Sequence, residues 1–337
     1  MFKTPQFWLK LNWISLILLP LTLLYKLGFY LKKKITKTHF AKIPVICVGN
    51  ITAGGSGKTP FALALGQYFH EKNINFCYLT RGYKAQNKAQ NSGVIYLDNS
   101  QNYSAHEVGD EPLLLSEVAP VFVAKNRWLG CQEIEKNPQF KAIIMDDGLQ
   151  NFQLKHDIKI LVIDGKIGFG NSLLLPSGPL RQSLSSVIKD VDLFVLIGED
   201  FSAITQKILS QKPQAQIIKT QVNIKNLESF KNKKFIAFCG IAFPQKFFDL
   251  LIKSNLTLHE THAFSDHHNY QTHEIEKLLA RAKNNNCHLL TTKKDWVKFS
   301  NKVQKEIDFV DIDLDLKSCN SNDEVLKKIF KKYFKNV

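Results

Sequence analysis

The sequence predicts an α/β protein in two parts, a larger domain built on a parallel sheet and a smaller α/β domain, with a membrane-associating helix at the amino terminus. Short apolar runs alternate with helical stretches from residue 41 onward, which is typical of a parallel sheet covered on both faces. A polar segment near 221–234 separates two sets of such runs, and 337 residues suffice for two cores. We therefore expect an anchor at 1–40, a larger domain at 41–222 and a smaller domain at 223–337.

The amino terminus, residues 7–31, is the most apolar part of the chain. Its uninterrupted stretch, 13–25, contains Pro20 and is shorter than the roughly 20 apolar residues that a spanning helix needs. A cleaved signal peptide is disfavoured because the run does not end in small residues, whereas a buried core helix stays open as an alternative. We expect an anchor that lies in the membrane or dips into it, with aromatic rings at headgroup level and lysines on anionic lipid. The residues concerned are Trp8, Trp13, Tyr25, Tyr30, Lys32, Lys33 and Lys34.

The elements of the two domains follow from the apolar runs in chain order. In the larger domain we expect strands at 43–49, 75–80, 118–124, 141–147, 158–164 and 192–198, and a helix at 58–71. In the smaller domain we expect a strand at 233–241, a helix at 244–254, a histidine-rich loop, a helix at 272–284, an apolar run at 287–296 and an amphipathic helix near 322–334.

The net charge of +15 predicts attraction to an anionic partner, which charge alone leaves open as nucleic acid, an acidic membrane surface or a phosphorylated substrate. Nucleic acid is disfavoured because the sequence has no recognised binding motif and no basic helix interleaved with stacking aromatics. The six cysteines are scattered and form no C-x-x-C pair, which indicates reduced thiols in a cytoplasmic protein.

A glycine-rich loop, VGNITAGGSGKTP at 48–60, indicates a P-loop NTPase-like sheet domain. It follows an apolar strand and opens a helix, so its backbone N–H groups and the helix terminus would face the phosphates of ATP. The usual pattern, G-x-x-x-x-G-K-[ST], is broken only at its first position, where Thr52 stands. Lys58 would neutralise the β- and γ-phosphates, and Thr59 would hold Mg²⁺. The residues that would bind the nucleotide are Thr52, Ala53, Gly54, Gly55, Ser56, Gly57, Lys58 and Thr59.

An acidic pair, Asp146 and Asp147, directly follows the apolar run of KAIIMDDGLQ. A nucleotide site of this class needs a carboxylate at the end of a neighbouring strand to position the metal. Two carboxylates on a surface turn are the alternative explanation. Beside the glycine-rich loop, metal binding by at least one of the two is favoured.

Five histidines lie between residues 259 and 273, at His259, His262, His267, His268 and His273. Metal ligation is one interpretation, but HETH at 259–262 is one residue short of H-E-x-x-H and no second spaced pair completes a site. The other interpretation is that one histidine pairs with a carboxylate to take a proton from an acceptor hydroxyl. Asp110 or Glu111 of VGDEP would supply that carboxylate.

Together these motifs resemble the tetraacyldisaccharide 4'-kinase family, the lipid A 4'-kinases of Gram-negative bacteria. The resemblance runs from the anchor to about residue 300, and its motifs stand in order. They are VGNITAGGSGKTP, LTRGYK, VGDEP, VAKNR, MDDGLQNFQLKHDIKILVID, GFGNSLLLPSGPLRQ, FCGIAFPQKFF, FSDHHNY and TTKKDWVK.

The resemblance implies transfer of the γ-phosphate of ATP to the 4'-hydroxyl of a tetraacylated glucosamine disaccharide 1-phosphate. It places this reaction at the cytoplasmic face of the bacterial inner membrane, in the cleft between two α/β domains. It implies a lipid A disaccharide precursor and the inner membrane surface as partners, without nucleic acid and without an obligate protein partner.

By position, the resemblance makes Asp110 the catalytic carboxylate and His267 its partner, a dyad suited to deprotonating a sugar hydroxyl. Arg127 matches an arginine that offsets charge on the phosphates. Lys58 and Thr59 match the phosphate and metal residues of the loop, and Asp146 and Asp147 match the family's acidic pair. Thr52 fits the family, in which threonine or serine replaces the first glycine.

Three residues depart from the family pattern: Gln182 and Lys293 stand where glutamate is common, and Asn151 stands where histidine is common. None of them lies in the loop, the acidic pair or the dyad, so we expect activity to survive. The rival interpretation is a membrane-associated P-loop ATPase or GTPase switch, which would hydrolyse nucleotide without a lipid acceptor.

Overall fold

The structure, a computed structural model, describes residues 5–83, 85, 93–98, 100, 103–316 and 320–335. Lys84 of the LTRGYK motif and Cys319 lie outside the described residues. The strands are β1 (Val45–Gly49), β2 (Phe76–Thr80), β3 (Val94–Leu97), β4 (Val121–Ala124), β5 (Ala142–Asp146), β6 (Ile158–Asp164), β7 (Leu193–Ile197), β8 (Gln216–Thr220), β9 (Val222–Ile224), β10 (Lys234–Cys239), β11 (Thr257–Ala263), β12 (His288–Thr292), β13 (Ile307–Val310) and β14 (Ile312–Leu314).

The helices lie between these strands and on both sides of the sheets. They are α1 (Trp13–Ile17), α2 (Leu19–Ile35), α3 (Lys58–Glu71), α4 (Ala105–Val108), α5 (Asp110–Ser116), α6 (Arg127–Ile134), α7 (Leu184–Asp190), α8 (Ile204–Leu209), α9 (Pro244–Lys253), α10 (Thr272–Asn284), α11 (Lys293–Trp296), α12 (Asn301–Gln304) and α13 (Asn320–Phe330). Short 3-10 turns cover Gln6–Trp8 and Leu227–Phe230.

The larger sheet has the order β3-β4-β2-β5-β1-β6-β7-β8, and β3 is its only antiparallel strand within the described residues. Every residue of β1, β2, β5 and β7 is buried, because helices cover both faces of the sheet. β1 lies between β5 and β6, and Val48 pairs with Asp146 in the register of β1 and β5. The carboxyl end of β1, where the glycine-rich loop starts, therefore lies beside the acidic pair.

The smaller sheet has the order β11-β10-β12-β13 and is parallel. The antiparallel pair β9 and β14 carries the chain into this sheet and back out of it. The predicted fold class, a parallel sheet domain with a smaller α/β unit, is confirmed. The boundaries at residues 40 and 222 stay predictions.

Six strands were not predicted, and one of them corrects the interpretation of the histidine-rich segment. They are β3, β8, β9, β11, β13 and β14. His259 and His262 lie in β11, an edge strand, and only His267 and His268 lie in the loop that follows it. The residues of β11 alternate between exposed and half-buried, so its sequence lacks the apolar run of an interior strand. β3 and β8, the two edges of the larger sheet, escaped prediction for the same reason.

Helix α13 packs against the larger sheet, although sequence order groups it with the smaller one. Phe330 is fully buried and contacts Phe69 of α3, with ring centroids 5.1 Å apart. Phe334, just beyond the helix, also contacts Phe69, at 5.5 Å. These rings belong to the core on the α3 face of the sheet.

The amino-terminal helices rest on the segment 174–181 by one face only. Thr22 Oγ1 lies 2.7 Å from Ser177 Oγ, and the Tyr25 hydroxyl donates to the Arg181 carbonyl oxygen at 3.0 Å. The opposite face exposes large apolar side chains, which argues against a buried core helix. They include Trp13, Leu16, Ile17, Leu21, Leu23, Leu24, Leu27, Tyr30 and Leu31. Among the described residues, no helix combines the length and the apolar content that crossing a membrane requires.

Candidate active site

The glycine-rich loop joins β1 to α3, with Gly54 and Gly57 in backbone conformations of positive φ, at 119° and 85°. Asn50, which is fully buried, donates from Nδ2 to the carbonyl oxygens of Thr52 at 2.9 Å and Gly54 at 3.3 Å. Thr52 also pairs with Leu180 in an isolated bridge, so the residue at the altered first position lies where the loop meets segment 174–181. The side chain of Asn50 thus fixes the loop that precedes the amino terminus of the 14-residue helix α3, where an anion is stabilised.

The first side chains of α3 face the acidic pair. Thr59 Oγ1 donates to Asp146 Oδ2 at 3.1 Å, and Lys58 Nζ lies 3.6 Å from Asp147 Oδ1. Arg181 Nη1 lies 3.7 Å from the same Asp147 oxygen. The structure therefore brings together the loop lysine, the loop threonine and both predicted carboxylates.

Asp146 is the buried member of the acidic pair, and its second oxygen, Oδ1, makes no hydrogen bond to any described residue. Burial and the neighbouring charge of Asp147 raise the pKa of Asp146 to about 7, although Lys58 opposes this. An unsatisfied buried carboxylate oxygen next to a hydroxyl and a second carboxylate is a set of hard oxygen donors, which Mg²⁺ prefers. Mg²⁺ normally takes only one or two protein carboxylates and fills its other positions with water and phosphate oxygens. These residues therefore fit the ion.

Arg127 begins α6 at the end of β4 and is buried. Its Nη1 donates to the Ala124 carbonyl oxygen, and its Nε has no hydrogen-bond partner among the described residues. Burial lowers the pKa of the guanidinium to about 10, while the charges of Asp147 and Asp146 oppose that shift. Arg127 thus provides a buried positive charge near the acidic pair.

The predicted dyad joins Asp110, beside the larger sheet, to His267, beside the smaller sheet, although the two residues are 157 positions apart in the sequence. His267 Nδ1 lies 3.0 Å from Asp110 Oδ2, and both side chains are mostly buried. Asp110 starts α5, beside the larger sheet, and His267 follows β11 of the smaller sheet. The charge of the next residue of α5, Glu111, contributes to the raised pKa of Asp146, and α5 contacts α3.

Two lysines of the TTKKDWVK motif contact the dyad, although the sequence pattern assigns them no role. Lys294 Nζ lies 2.7 Å from Glu111 Oε1 and 3.1 Å from His267 Nε2. Lys298 Nζ lies 3.4 Å from Asp110 Oδ2 and 2.8 Å from the fully buried Asp295. The motif itself was the available signal, because it places three lysines within six residues.

The remaining histidines do not converge on a metal site. His268 pairs with Glu274 at 2.9 Å, and His262 pairs with Glu260 at 3.1 Å. Across the described ranges, no group of three or more His, Cys, Asp or Glu side chains is arranged to hold a metal ion. The pairing of one histidine with a carboxylate is the arrangement that the geometry supports.

The three departures from the family pattern each have a local contact. Gln182 Oε1 accepts from Gln150 Nε2 at 3.4 Å, and Asn151 Oδ1 accepts from the backbone N–H of Gln153 at 3.1 Å. Lys293 Nζ pairs with Glu117 at 2.6 Å and with Asp311 at 3.5 Å. The structure gives none of these three residues a contact with the dyad.

Comparisons with known proteins, by sequence and by structure, match most of the length of this chain. The family model for tetraacyldisaccharide-1-P 4'-kinase matches residues 14–332. The tetraacyldisaccharide 4'-kinase of Rickettsia felis is 34% identical over 336 residues, covering 97% of this chain and 97% of that protein. The enzyme of the same name from Rickettsia rickettsii strain Sheila Smith is 35% identical over 336 residues, covering 97% and 98%.

Among solved structures, a crystal structure of LpxK from Aquifex aeolicus in complex with ATP superposes with a TM-score of 0.72 at 25% identity. The superposition covers 94% of this chain and 99% of that one. Sequence and fold thus agree over nearly the full length of the relatives. This chain belongs to the tetraacyldisaccharide-1-P 4'-kinase family.

Proposed function

We propose that this protein transfers the γ-phosphoryl group of ATP to the 4'-hydroxyl of a tetraacylated glucosamine disaccharide 1-phosphate, with Asp110 as the base. Family membership makes the chain a tetraacyldisaccharide 4'-kinase, an ATP-dependent enzyme of lipid A biosynthesis. The observation that carries the residue assignment is the Asp110–His267 pair, 3.0 Å apart, in which Asp110 lies on a helix that contacts α3, the helix of the phosphate loop. A nucleotide site alone has no need of such a pair, whereas a sugar hydroxyl needs a proton acceptor.

The loop and α3 would bind the phosphates of ATP. The backbone N–H groups at the amino terminus of α3 and the ammonium of Lys58 would neutralise their charge. Thr59, Asp146 and Asp147 would hold Mg²⁺, which when bound neutralises charge on the phosphate oxygens as a Lewis acid. Arg127 would add a buried positive charge on the same side of the sheet.

The transfer step needs one proton acceptor and one leaving group. The proton of the 4'-hydroxyl passes to the carboxylate of Asp110 as the hydroxyl oxygen forms its bond to the γ-phosphorus. The bond from that phosphorus to the β,γ-bridging oxygen breaks, and the bridging oxygen leaves on ADP with the electron pair. Positioning and electrostatic stabilisation supply most of the catalysis in such reactions.

The acceptor is an acylated lipid precursor, and we propose that the enzyme meets it at the cytoplasmic face of the bacterial inner membrane. The exposed apolar face of α2 ends in Lys32, Lys33 and Lys34, an arrangement suited to an interfacial helix on anionic lipid. Trp13 of α1 and Tyr30 of α2 are exposed, whereas Trp8 Nε1 and the Tyr25 hydroxyl already donate to protein carbonyl oxygens.

A transfer assay in detergent tests the proposal, with γ-labelled ATP and the tetraacyldisaccharide 1-phosphate. Wild type should label the lipid, and Lys58→Ala and Asp110→Ala should each lower the rate by about a hundredfold or more. Two exposed residues provide matched controls: Lys136, which pairs with Glu133, and Asp190, which pairs with Lys159. Lys136→Ala and Asp190→Ala should retain the wild-type rate. Full activity in Lys58→Ala or Asp110→Ala would contradict the residue assignment. Nucleotide hydrolysis without labelled lipid would favour a switch.

A further inference from the structure

Lys294 contacts the dyad histidine on the ring nitrogen that Asp110 does not use. His267 Nδ1 lies 3.0 Å from Asp110 Oδ2, and His267 Nε2 lies 3.1 Å from Lys294 Nζ. Lys294 comes from α11 of the smaller sheet, whereas Asp110 comes from α5 beside the larger one. The imidazole is therefore held between a carboxylate and an ammonium group from opposite sides.

The chemistry of an ammonium group decides the protonation of this ring. An ammonium donates three hydrogen bonds and accepts none, so Nε2 must accept and carries no hydrogen. The ring hydrogen then lies on Nδ1, which donates it to Asp110. Burial opposes the charge on Lys294, but the carboxylates of Glu111, 2.7 Å away, Asp110 and Asp266 together outweigh burial and raise the pKa of the lysine.

We propose that Lys294 is a positioning residue that fixes His267 as the neutral Nδ1–H tautomer and so directs the acceptor proton to Asp110. This inference rests on the proposed function for its catalytic part. With Nε2 occupied, His267 receives no proton from the 4'-hydroxyl. The imidazole instead orients the Asp110 carboxylate by one N–H bond, and Lys294 takes no part in bond making.

The charges around His267 predict what happens without this ammonium. Asp110 and Glu111 face the ring from α5, and Asp266 lies 4.0 Å from Nε2 on the ring's own loop. The Tyr83 ring contacts the imidazole edge to face, and Lys298 Nζ lies 3.4 Å from the Asp110 oxygen that faces the ring. Three carboxylates would then surround an imidazole that has lost the nearest positive charge. With Glu111 and Asp266 beside Nε2, the ring hydrogen would shift to Nε2, and Nδ1 would then no longer donate to Asp110.

The test combines the tautomer of the ring with the rate of the reaction. In full-length protein carrying ¹⁵N-labelled histidine, wild-type His267 should carry its hydrogen on Nδ1. In Lys294→Met the hydrogen should shift to Nε2, and kcat should fall about tenfold to a hundredfold. Lys294→Arg should keep the hydrogen on Nδ1.

Lys293 provides the matched control, because its ammonium pairs with Glu117 and Asp311 and not with the dyad. Lys293→Met should leave the His267 signal and kcat as in wild type. Wild-type His267 with its hydrogen on Nε2, or Lys294→Met with an unchanged tautomer or an unchanged kcat, would overturn the proposal. Failure of the wild type to phosphorylate the disaccharide would instead overturn the proposed function, since the NMR measurement needs no activity.

Discussion

His156, a buried histidine between β5 and β6, carries an acid sensitivity that is independent of the active site. Its Nε2 has no hydrogen-bond partner among the described residues. Burial, aided by the charges of Lys159 and Lys155 and opposed by Asp190, lowers its pKa from 6.5 to about 4. The unfolded chain binds this proton more readily than the folded one, so the free energy of unfolding falls as the pH drops from about 6.5 to 4.

His156→Gln should remove that pH dependence. The shift corresponds to about 3 kcal/mol of unfolding free energy, lost by the wild type across this window and constant below it. Urea unfolding of both proteins at several pH values from 4 to 7 measures the difference. The exposed His273 is the control, and His273→Gln should follow the wild-type curve. Parallel curves for His156→Gln and wild type would contradict the assignment.

The individual residues of the site divide into those that a motif names and those that only the fold reveals. Lys58, Thr59, Asp146 and Asp147 belong to local patterns whose chemistry is the same wherever they occur, so the sequence predicts their grouping. Lys294 faces Glu111 across more than 180 positions of chain. No local sequence pattern indicates which distant carboxylate a lysine will contact in the fold, so the contact of Lys294 with the dyad was not predicted.

At the scale of elements, the approach of α3 to β2 depends on Gly66. A Cβ atom at this position would lie 2.0 Å from the Tyr78 hydroxyl oxygen and 3.0 Å from Phe76 Cζ. The Tyr78 hydroxyl is itself fixed, because it donates to the Ala62 carbonyl oxygen at 2.9 Å. Gly66 therefore sets how closely the helix of the phosphate loop lies on the sheet.

Gly66→Ala should destabilise the protein by about 1–3 kcal/mol, because overpacking outweighs the better helix propensity of alanine. Gly28 in α2 is the matched control, since a Cβ atom there would meet no atom within 4 Å. Gly28→Ala should leave the stability unchanged or raise it by up to about 1 kcal/mol. Thermal and urea unfolding compare the two variants, and equal effects would refute the packing explanation.

The elements that the sequence predicted are those buried on both faces. Strands β1, β2, β4, β5, β6 and β7 are continuous apolar runs, and helices α3, α9 and α10 match their predicted spans closely. The edge strands β3, β8 and β11 carry polar residues because one side of each faces solvent. They therefore lack the continuous apolar run by which the interior strands were predicted.

At the scale of the whole molecule, the apolar face of α2 is the surface that would bind the membrane. Leu23 and Leu24 are 68% and 66% exposed. The double variant Leu23→Gln, Leu24→Gln should lose binding to vesicles of phosphatidylethanolamine and phosphatidylglycerol while its unfolding temperature stays that of wild type. Co-sedimentation measures the binding.

Exposed leucines elsewhere serve as the control for that measurement. Leu129 and Leu209, on α6 and α8, are 42% and 39% exposed. The double variant Leu129→Gln, Leu209→Gln should bind vesicles as wild type does. Equal loss in both double variants would assign the binding to general surface hydrophobicity and not to α2.

The packing of α13 also bears on the order in which the protein is made. The chain builds the larger sheet through β8, passes through β9 into the smaller sheet, and returns through β14 before α13 covers Phe69. During translation, Phe69 and the aromatic cluster around it on α3 therefore stay uncovered until residue 330 has left the ribosome. The larger sheet is therefore formed first but covered last, and ribosome-bound chains that stop in the smaller sheet should expose this cluster to chaperones.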